Sequence, residues 1–255
     1  MSNLPREIRR VGCQLRRLTL DWLSGRHRKL VVADPQAARA GSSFPVRISL
    51  EQRILPTDYV EAKIHNIEIA RSRLENVPIP PEAIFSFWQI VGRPAQSRGF
   101  QAGRSLLGGQ LRPDYGGGLC QLSGMLYHLG LLAGLRVLER HPHSRDIYEE
   151  TSRFTPLGAD ATVAFGFKDL RVQNSLSSAI CFRISISPEK LGCFLCSPAD
   201  VKPSIIEFVK TAEAAGVSTV ETRRLGDKGH EILCTSSYQA LQTGTRAYEQ
   251  NKSNG

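Results

Sequence analysis

Gly116-Gly117-Gly118-Leu119-Cys120-Gln121-Leu122-Ser123 places three consecutive glycines directly before a cysteine and an apolar run. Leu122, Met125, Leu126, Leu129 and Leu132 then recur at helical spacing, and Gly134 is a plausible C-cap. The stretch therefore reads as a sharp turn feeding a helix that packs on other elements. Glycine tolerates φ > 0 and close backbone approach, so such a turn exposes its N–H groups. A helix N-terminus carries partial positive charge, which favours a thiolate. Cys120 is thus a candidate nucleophile, with backbone N–H groups around Cys120 and Gln121 as an oxyanion site. Two other readings stay open. Gly116, Gly117, Gly118, Gln121 and Ser123 could bind an anionic ligand without chemistry, or the turn could be structural, with Cys120 a small buried hydrophobe.

A nucleophile needs a base and a group that orients it. Leu135 to Arg140 reads as a strand leading into His141-Pro142-His143-Ser144, and Asp160 to Phe165 reads as a second strand. His143 is the better base candidate, because Pro142 fixes the backbone before it. Asp160 would orient its ring, while His141 is a strand-end hydrogen bonder or a ligand contact. The order Cys, His, Asp resembles that of transglutaminase-like and papain-like thiol enzymes, an analogy of order alone. His128, within the helix, reads as packing or surface.

A second cluster, Cys193-x-x-Cys196 with His230 and Cys234, could hold zinc, but 33 residues separate the two pairs, against ~12–20 in compact zinc modules. Phe194 and Leu195 fit a core strand equally well, so no metal is expected. No phosphate-binding loop, dinucleotide fingerprint or His-Glu-x-x-His motif is present, and no cofactor is called for.

Toward the N-terminus, Asp58 and Glu61 form a candidate capping box for a helix with Val60, Ile64, Ile67 and Leu74 on its apolar face, ended by Asn76 and Pro78. Val46, Ile48 and Leu50 alternate as a short strand, and Leu106 to Gln110 carries a Gly108-Gly109 turn. Residues 1–30 hold a net +6 of the chain's +9. Leu4, Ile8, Val11, Leu15, Leu18 and Trp22 form one helical stripe among these arginines. Such a segment lies on an anionic membrane or docks on an acidic partner. Most amphipathic helices face a core, which makes packing of the stripe on the domain the expectation. Beyond residue 186, Val220–Leu225 and Glu231–Cys234 flank Gly226-Asp227-Lys228-Gly229 as a hairpin, and the last ten residues read as a frayed end.

The chain has 255 residues, 41% hydrophobic and 22% charged, the profile of a globular protein rather than a fibrous, disordered or multi-pass membrane one. No apolar run approaches the ~18–20 residues of a membrane span, and no signal-peptide core follows the N-terminal arginines. The expectation is a cytoplasmic chain, membrane-peripheral at most, with its six cysteines reduced. Its positive charge is concentrated at one end without a recognised binding module, which disfavours nucleic acid.

Asn66-Ile67-Glu68-Ile69-Ala70, Phe85-Ser86-Phe87-Trp88, the Gly116–Ser123 element, Glu139-Arg140-His141-Pro142-His143-Ser144 and Asp160-Ala161-Thr162-Val163 together resemble the VanW family, over roughly residues 61–186. The resemblance implies a glycopeptide-resistance and cell-wall context but no established reaction. The sequence reading is an α+β fold: a basic helical segment and linker (1–56), a VanW-like domain (57–186) in which the helix after Cys120 packs on an antiparallel sheet carrying His143 and Asp160, and a small β extension (187–255). The expected function is thiol-dependent acyl transfer or amide hydrolysis on a peptide-like or cell-wall-precursor substrate. The alternative is a non-catalytic accessory protein whose glycine turn binds an anion.

Overall fold

The computed structural model describes residues 5–107, 110–146, 155–227 and 229–240. The expected Gly108-Gly109 turn, Lys228 and the frayed end lie outside them. In chain order the first elements are α1 (Arg6–Leu23), α2 (Pro35–Gly41), β1 (Val46–Arg53), α3 (Val60–Leu74), β2 (Ile84–Ser86) and α4 (Phe87–Val91). A hairpin of β3 (Ala102–Leu107) and β4 (Gln110–Tyr115) leads to α5 (Leu119–Leu132), then β5 (Arg136–Glu139) and β6 (Arg145–Asp146). The chain ends with β7 (Arg171–Gln173), β8 (Cys181–Ile186), β9 (Lys190–Cys196), β10 (Ile205–Ala214), β11 (Val217–Gly226) and β12 (Gly229–Ala240). The fold is α+β, with almost all strand pairs antiparallel.

α5 is the central element. It is buried along most of its length, from Leu119 through Leu131. It packs on β1 and β9 of the sheet β1-β9-β8, on β5 of the sheet β2-β7-β5, and on β10 of the sheet β10-β11-β12-β6. Leu122, Met125, Leu126 and Leu129 meet Ile67, Ala70 and Leu74 of α3 and Phe182, Leu191 and Leu195 of the first sheet in one apolar core. At its C-terminus Gly134 N–H bonds Leu131 O and Leu135 N–H bonds Gly130 O, the paired closure that satisfies the last carbonyls.

Three local expectations differ from the structure. α3 starts from Tyr59 without a side-chain cap. A turn closed by Val60 N–H to Thr57 O at 3.0 Å occupies residues 58–59, so the Asp58–Glu61 box does not form its start. Residues 160–165 are not a strand. Ala161, Thr162 and Val163 are all buried and Thr162 N–H bonds His141 O, so the segment is wedged between neighbours on both sides rather than alternating across a sheet face. His143 likewise sits in the loop after β5. The site histidine and aspartate are therefore carried by loops at the end of a strand.

The third difference concerns α1. Its apolar stripe faces solvent: Ile8, Val11, Leu15, Leu18 and Trp22 are 48–66% exposed. The polar side makes the contacts instead. Asp21 Oδ1 pairs with Arg171 Nη1 at 2.9 Å, both side chains 6% exposed. Arg17 Nη2 donates to Glu139 Oε1 at 2.5 Å, and Arg10 lies over the Phe165 ring at 6.0 Å. A helix can be docked by a few specific buried ion pairs, and the apolar-inward rule does not foresee that. No helix among the described residues is long and apolar enough to cross a membrane.

Candidate active site

The glycine turn is held from α3. Asn66, fully buried on that helix, donates from Nδ2 to Gly117 O at 3.2 Å and Gln101 O at 3.0 Å, and its Oδ1 accepts from Gln101 N–H at 2.8 Å. Gly118 caps α5 with φ 94°, and a methyl group there would come within 2.5 Å of Lys63 Cγ. Both backbone conformation and contact therefore require glycine. Lys63 rests beside the turn, and burial lowers its ammonium to about 8.

Cys120 is the second residue of α5 and half-buried. Its thiol donates to Val163 O at 3.6 Å, and the His143 imidazole lies close enough to act on it electrostatically. His143 Nδ1 meets Asp160 Oδ2 at 2.6 Å, and the same oxygen accepts the His143 backbone N–H at 2.6 Å. Nε2 is thereby left for the sulfur. The 159–161 backbone packs against α5 at Gly124, where a methyl group would make ordinary contact, 3.5 Å from Asp160 Cα.

Asp160 is held on its other side by two residues not singled out from the sequence. Arg140 Nη2 donates to Oδ1 at 2.8 Å and its Nε to the Asp160 carbonyl at 2.7 Å. Tyr238 OH, from β12, donates to the same Oδ1 at 2.5 Å. Arg140 also bonds Gly158 O and Ser236 Oγ and lies 5.0 Å over the Tyr127 ring of α5. Arg140 adjoins His141 in sequence, and its charge so near the candidate His143 was the available signal. Tyr238 lies 78 residues beyond Asp160 on an unremarkable strand, and nothing local marks it.

The electrostatics follow from this chain of contacts. Burial pushes the Asp160 carboxyl up, but hydrogen bonds and charge from His143, with Arg140 and Tyr238, hold it far below the usual carboxylate range. Burial pulls the imidazole down, yet Asp160 and Cys120 raise it to about 10. Burial raises the Cys120 thiol, and the hydrogen bond and charge of His143 bring it below its ordinary value. His143 thus favours the thiolate form of Cys120, and the sulfur in turn favours the imidazolium form of His143.

The remaining candidates sit around this cluster. The Cys120 N–H has no hydrogen-bond partner among the described residues, whereas Gln121 N–H is bonded to Gly118 O at 3.0 Å. Of the two expected oxyanion donors, Cys120 is the available one. The Gln121 side chain donates to Arg53 O and Gln52 Oε1 of β1. Ser123 Oγ donates to Ala161 O at 2.6 Å and Cys120 O at 3.2 Å, bracing the loop against the helix. His141 Nε2 meets Glu139 Oε1 at 3.0 Å, away from the thiol. Cys193 packs on Met125, Cys196 faces Cys181 across β8 and β9, and Cys234 contacts Tyr127 OH. No group of three or more metal-ligating side chains occurs among the described residues.

Comparison with known proteins gives two kinds of match. The family model described as VanW like protein matches residues 62–195, over half the chain and the whole stretch from Asn66 through Asp160. The uncharacterized protein YoaR of Bacillus subtilis is 32% identical over 123 residues, 48% of this chain and 39% of its own length. The vancomycin B-type resistance protein VanW of Enterococcus faecalis is 29% identical over 133 residues, 52% of this chain and 48% of its own length. The chain thus spans less than half of either relative. No solved structure matches.

Proposed function

The chain belongs to the family of VanW-like proteins, and on that footing we propose that it is a thiol enzyme of acyl transfer, in which Cys120 attacks a carbonyl, His143 moves the proton and Asp160 orients the imidazole. The observation that supports this reading is the His143 Nδ1–Asp160 Oδ2 contact at 2.6 Å, with the imidazole placed to lower the Cys120 thiol. The Cys120 thiolate adds to the carbonyl carbon, and its own N–H, at the start of α5, faces the developing oxyanion. As the carbon–nitrogen bond breaks, the His143 imidazolium gives its proton to the departing amine, leaving a thioester on Cys120. Water or a second amine then attacks the thioester while His143 takes the incoming proton, which gives amide hydrolysis or acyl transfer respectively. The resistance role in the name of the Enterococcus relative supports a peptide-like cell-wall precursor as the substrate.

The test is intact-mass spectrometry of the whole chain after incubation with an activated ester as acyl donor. A single acyl adduct at Cys120, labile to hydroxylamine, absent in Cys120→Ser and formed more slowly in His143→Gln, supports the enzyme. An unmodified Cys120, or equal labelling of all six thiols, refutes it and leaves the anion-binding reading of the glycine turn.

A further inference from the structure

α1 turns its apolar side outward and is fixed in that pose. Leu15, Leu18 and Trp22 are 59%, 62% and 66% exposed, and Ile8 and Val11 continue the stripe toward the N-terminus. Turning it inward would separate Asp21 from Arg171 and Arg17 from Glu139, stranding buried charge. A contiguous exposed apolar stripe of this kind marks an interaction surface.

The surrounding charge identifies what covers it. Arg9 and Arg16 flank the stripe in solvent, and Arg26, Arg28 and Lys29 stand exposed just beyond the helix end. Residues 1–30 carry net +6. A second copy of this chain would bring the same +6 against it, which opposes self-association through this face. Residues 241–255 offer only Leu241 and Tyr248 as large apolar side chains and a net +1, too little to cover the stripe. An exposed apolar stripe, with Leu20 and Leu23 also in solvent and exposed arginines on the same helix, fits a helix lying in the plane of an anionic bilayer, with its stripe in the acyl boundary and its arginines on the headgroups.

We propose that α1 is an interfacial docking helix that seats this protein on an anionic lipid surface. The seat is coupled to the thiol site by position. Arg17 of α1 bonds Glu139, the same carboxylate accepts from His141 and from Asp169 N–H, and the chain reaches His143 two residues later. Docking therefore brings Cys120 close to the membrane surface, where a substrate tethered to lipid would be presented.

The experiment uses the whole chain with vesicles of phosphatidylcholine alone and vesicles containing phosphatidylglycerol, read by sedimentation and tryptophan emission. Of the two tryptophans, Trp88 is buried and Trp22 lies on the stripe, so a blue shift on binding reports α1. The expected result is sedimentation with the anionic vesicles and a blue-shifted emission. Both are lost in Leu15→Glu/Leu18→Glu, whose thermal melt and Cys120 alkylation match the parent. Arg9→Gln and Arg16→Gln each weaken binding about fivefold. Absence of binding by the parent chain, or binding unchanged in Leu15→Glu/Leu18→Glu, overturns the proposal. So does a dimer that the same double variant dissolves without any vesicle binding by the parent.

Discussion

Asp160 Oδ2 accepts two hydrogen bonds from a single residue, the backbone N–H and the ring Nδ1–H of His143, both at 2.6 Å. One contact fixes the loop and the other fixes the ring, so turning the imidazole gives up its Nδ1–H bond to the carboxylate. The second oxygen, Oδ1, is taken by Arg140 and Tyr238. The carboxylate is thereby a hub that sets both the tautomer of His143 and the state of the sulfur beyond it.

Asp160→Asn keeps the shape and removes the charge. Without it the imidazole loses its main reason to be protonated and the Cys120 thiol rises. Each unit by which the thiol rises above the assay pH lowers its thiolate fraction about tenfold. Alkylation of Cys120 by iodoacetamide at pH 6.5 is therefore expected to slow at least tenfold, while Cys13, exposed on α1, reacts as before. An unchanged Cys120 rate would show that the carboxylate does not govern the pair.

The pH dependence of stability has a definite form. Folding raises His143 to about 10, from an unfolded value of about 6.5, so its contribution is present below 6.5 and lost as pH rises through 10. Folding lowers Cys120 from an unfolded value of about 8.5, so its contribution is present above 8.5 and lost as pH falls. The Cys120 contribution thus falls toward acid, and the His143 contribution falls by on the order of 2 kcal/mol between pH 8.5 and 10. Urea unfolding across pH, referenced to Cys120→Ala/His143→Gln, measures this curve. A monotonic difference would mean that no ion pair forms.

Tyr238→Phe tests the contribution of the last described strand. The hydroxyl donates to a charged oxygen at 2.5 Å and its ring is buried, so losing it costs about 1.5–3 kcal/mol, the range for hydrogen bonds to charged groups. Asp160 rises slightly, and Cys120 alkylation slows with it. A stability loss with no change in thiol reactivity would confine Tyr238 to packing.

Much of the site was legible because its determinants are local. Three glycines before Cys120 could only be a turn, and the leucine spacing after it could only be a helix. His143 and Asp160 were legible as chemistry by residue type and order, but their backbone was misread as strand. Alternation of apolar residues along 160–165 cannot be told from a loop buried on both sides. Tyr238 was invisible because its role depends on a sheet formed far along the chain. The pose of α1 was misread for a different reason. Periodicity locates an apolar face but not what it meets, and two ion pairs reaching Arg171 and Glu139 decided the orientation.

Gly118→Ala isolates the turn. The residue sits at φ 94°, a conformation costing a side-chain-bearing residue about 1–3 kcal/mol, and the added methyl meets Lys63 Cγ. The start of α5 and the Cys120 N–H must shift. Loss of at least 1 kcal/mol in urea unfolding and slower acylation of Cys120 are expected. Gly12→Ala, inside α1 where an added methyl meets nothing within 4 Å, is the control: it leaves acylation unchanged and raises stability by about 0.5–1 kcal/mol.

Asp21→Asn tests whether polar contacts hold α1 in its outward-facing pose. Arg171 lies in β7, between β2 and β5, with its guanidinium 6% exposed against Asp21. Removing the carboxylate charge leaves that cation buried without its counter-ion, at a cost of about 3–5 kcal/mol, whereas replacing both partners with apolar residues of similar volume is close to neutral. Asp21→Asn is therefore expected to melt well below the parent, and Asp21→Leu/Arg171→Met to recover most of the loss. Limited proteolysis reads the pose directly: cleavage at Arg9 and Arg16 should accelerate in Asp21→Asn as the helix detaches. Equal cleavage and equal melting in parent and single variant would mean that the ion pair does not hold the helix.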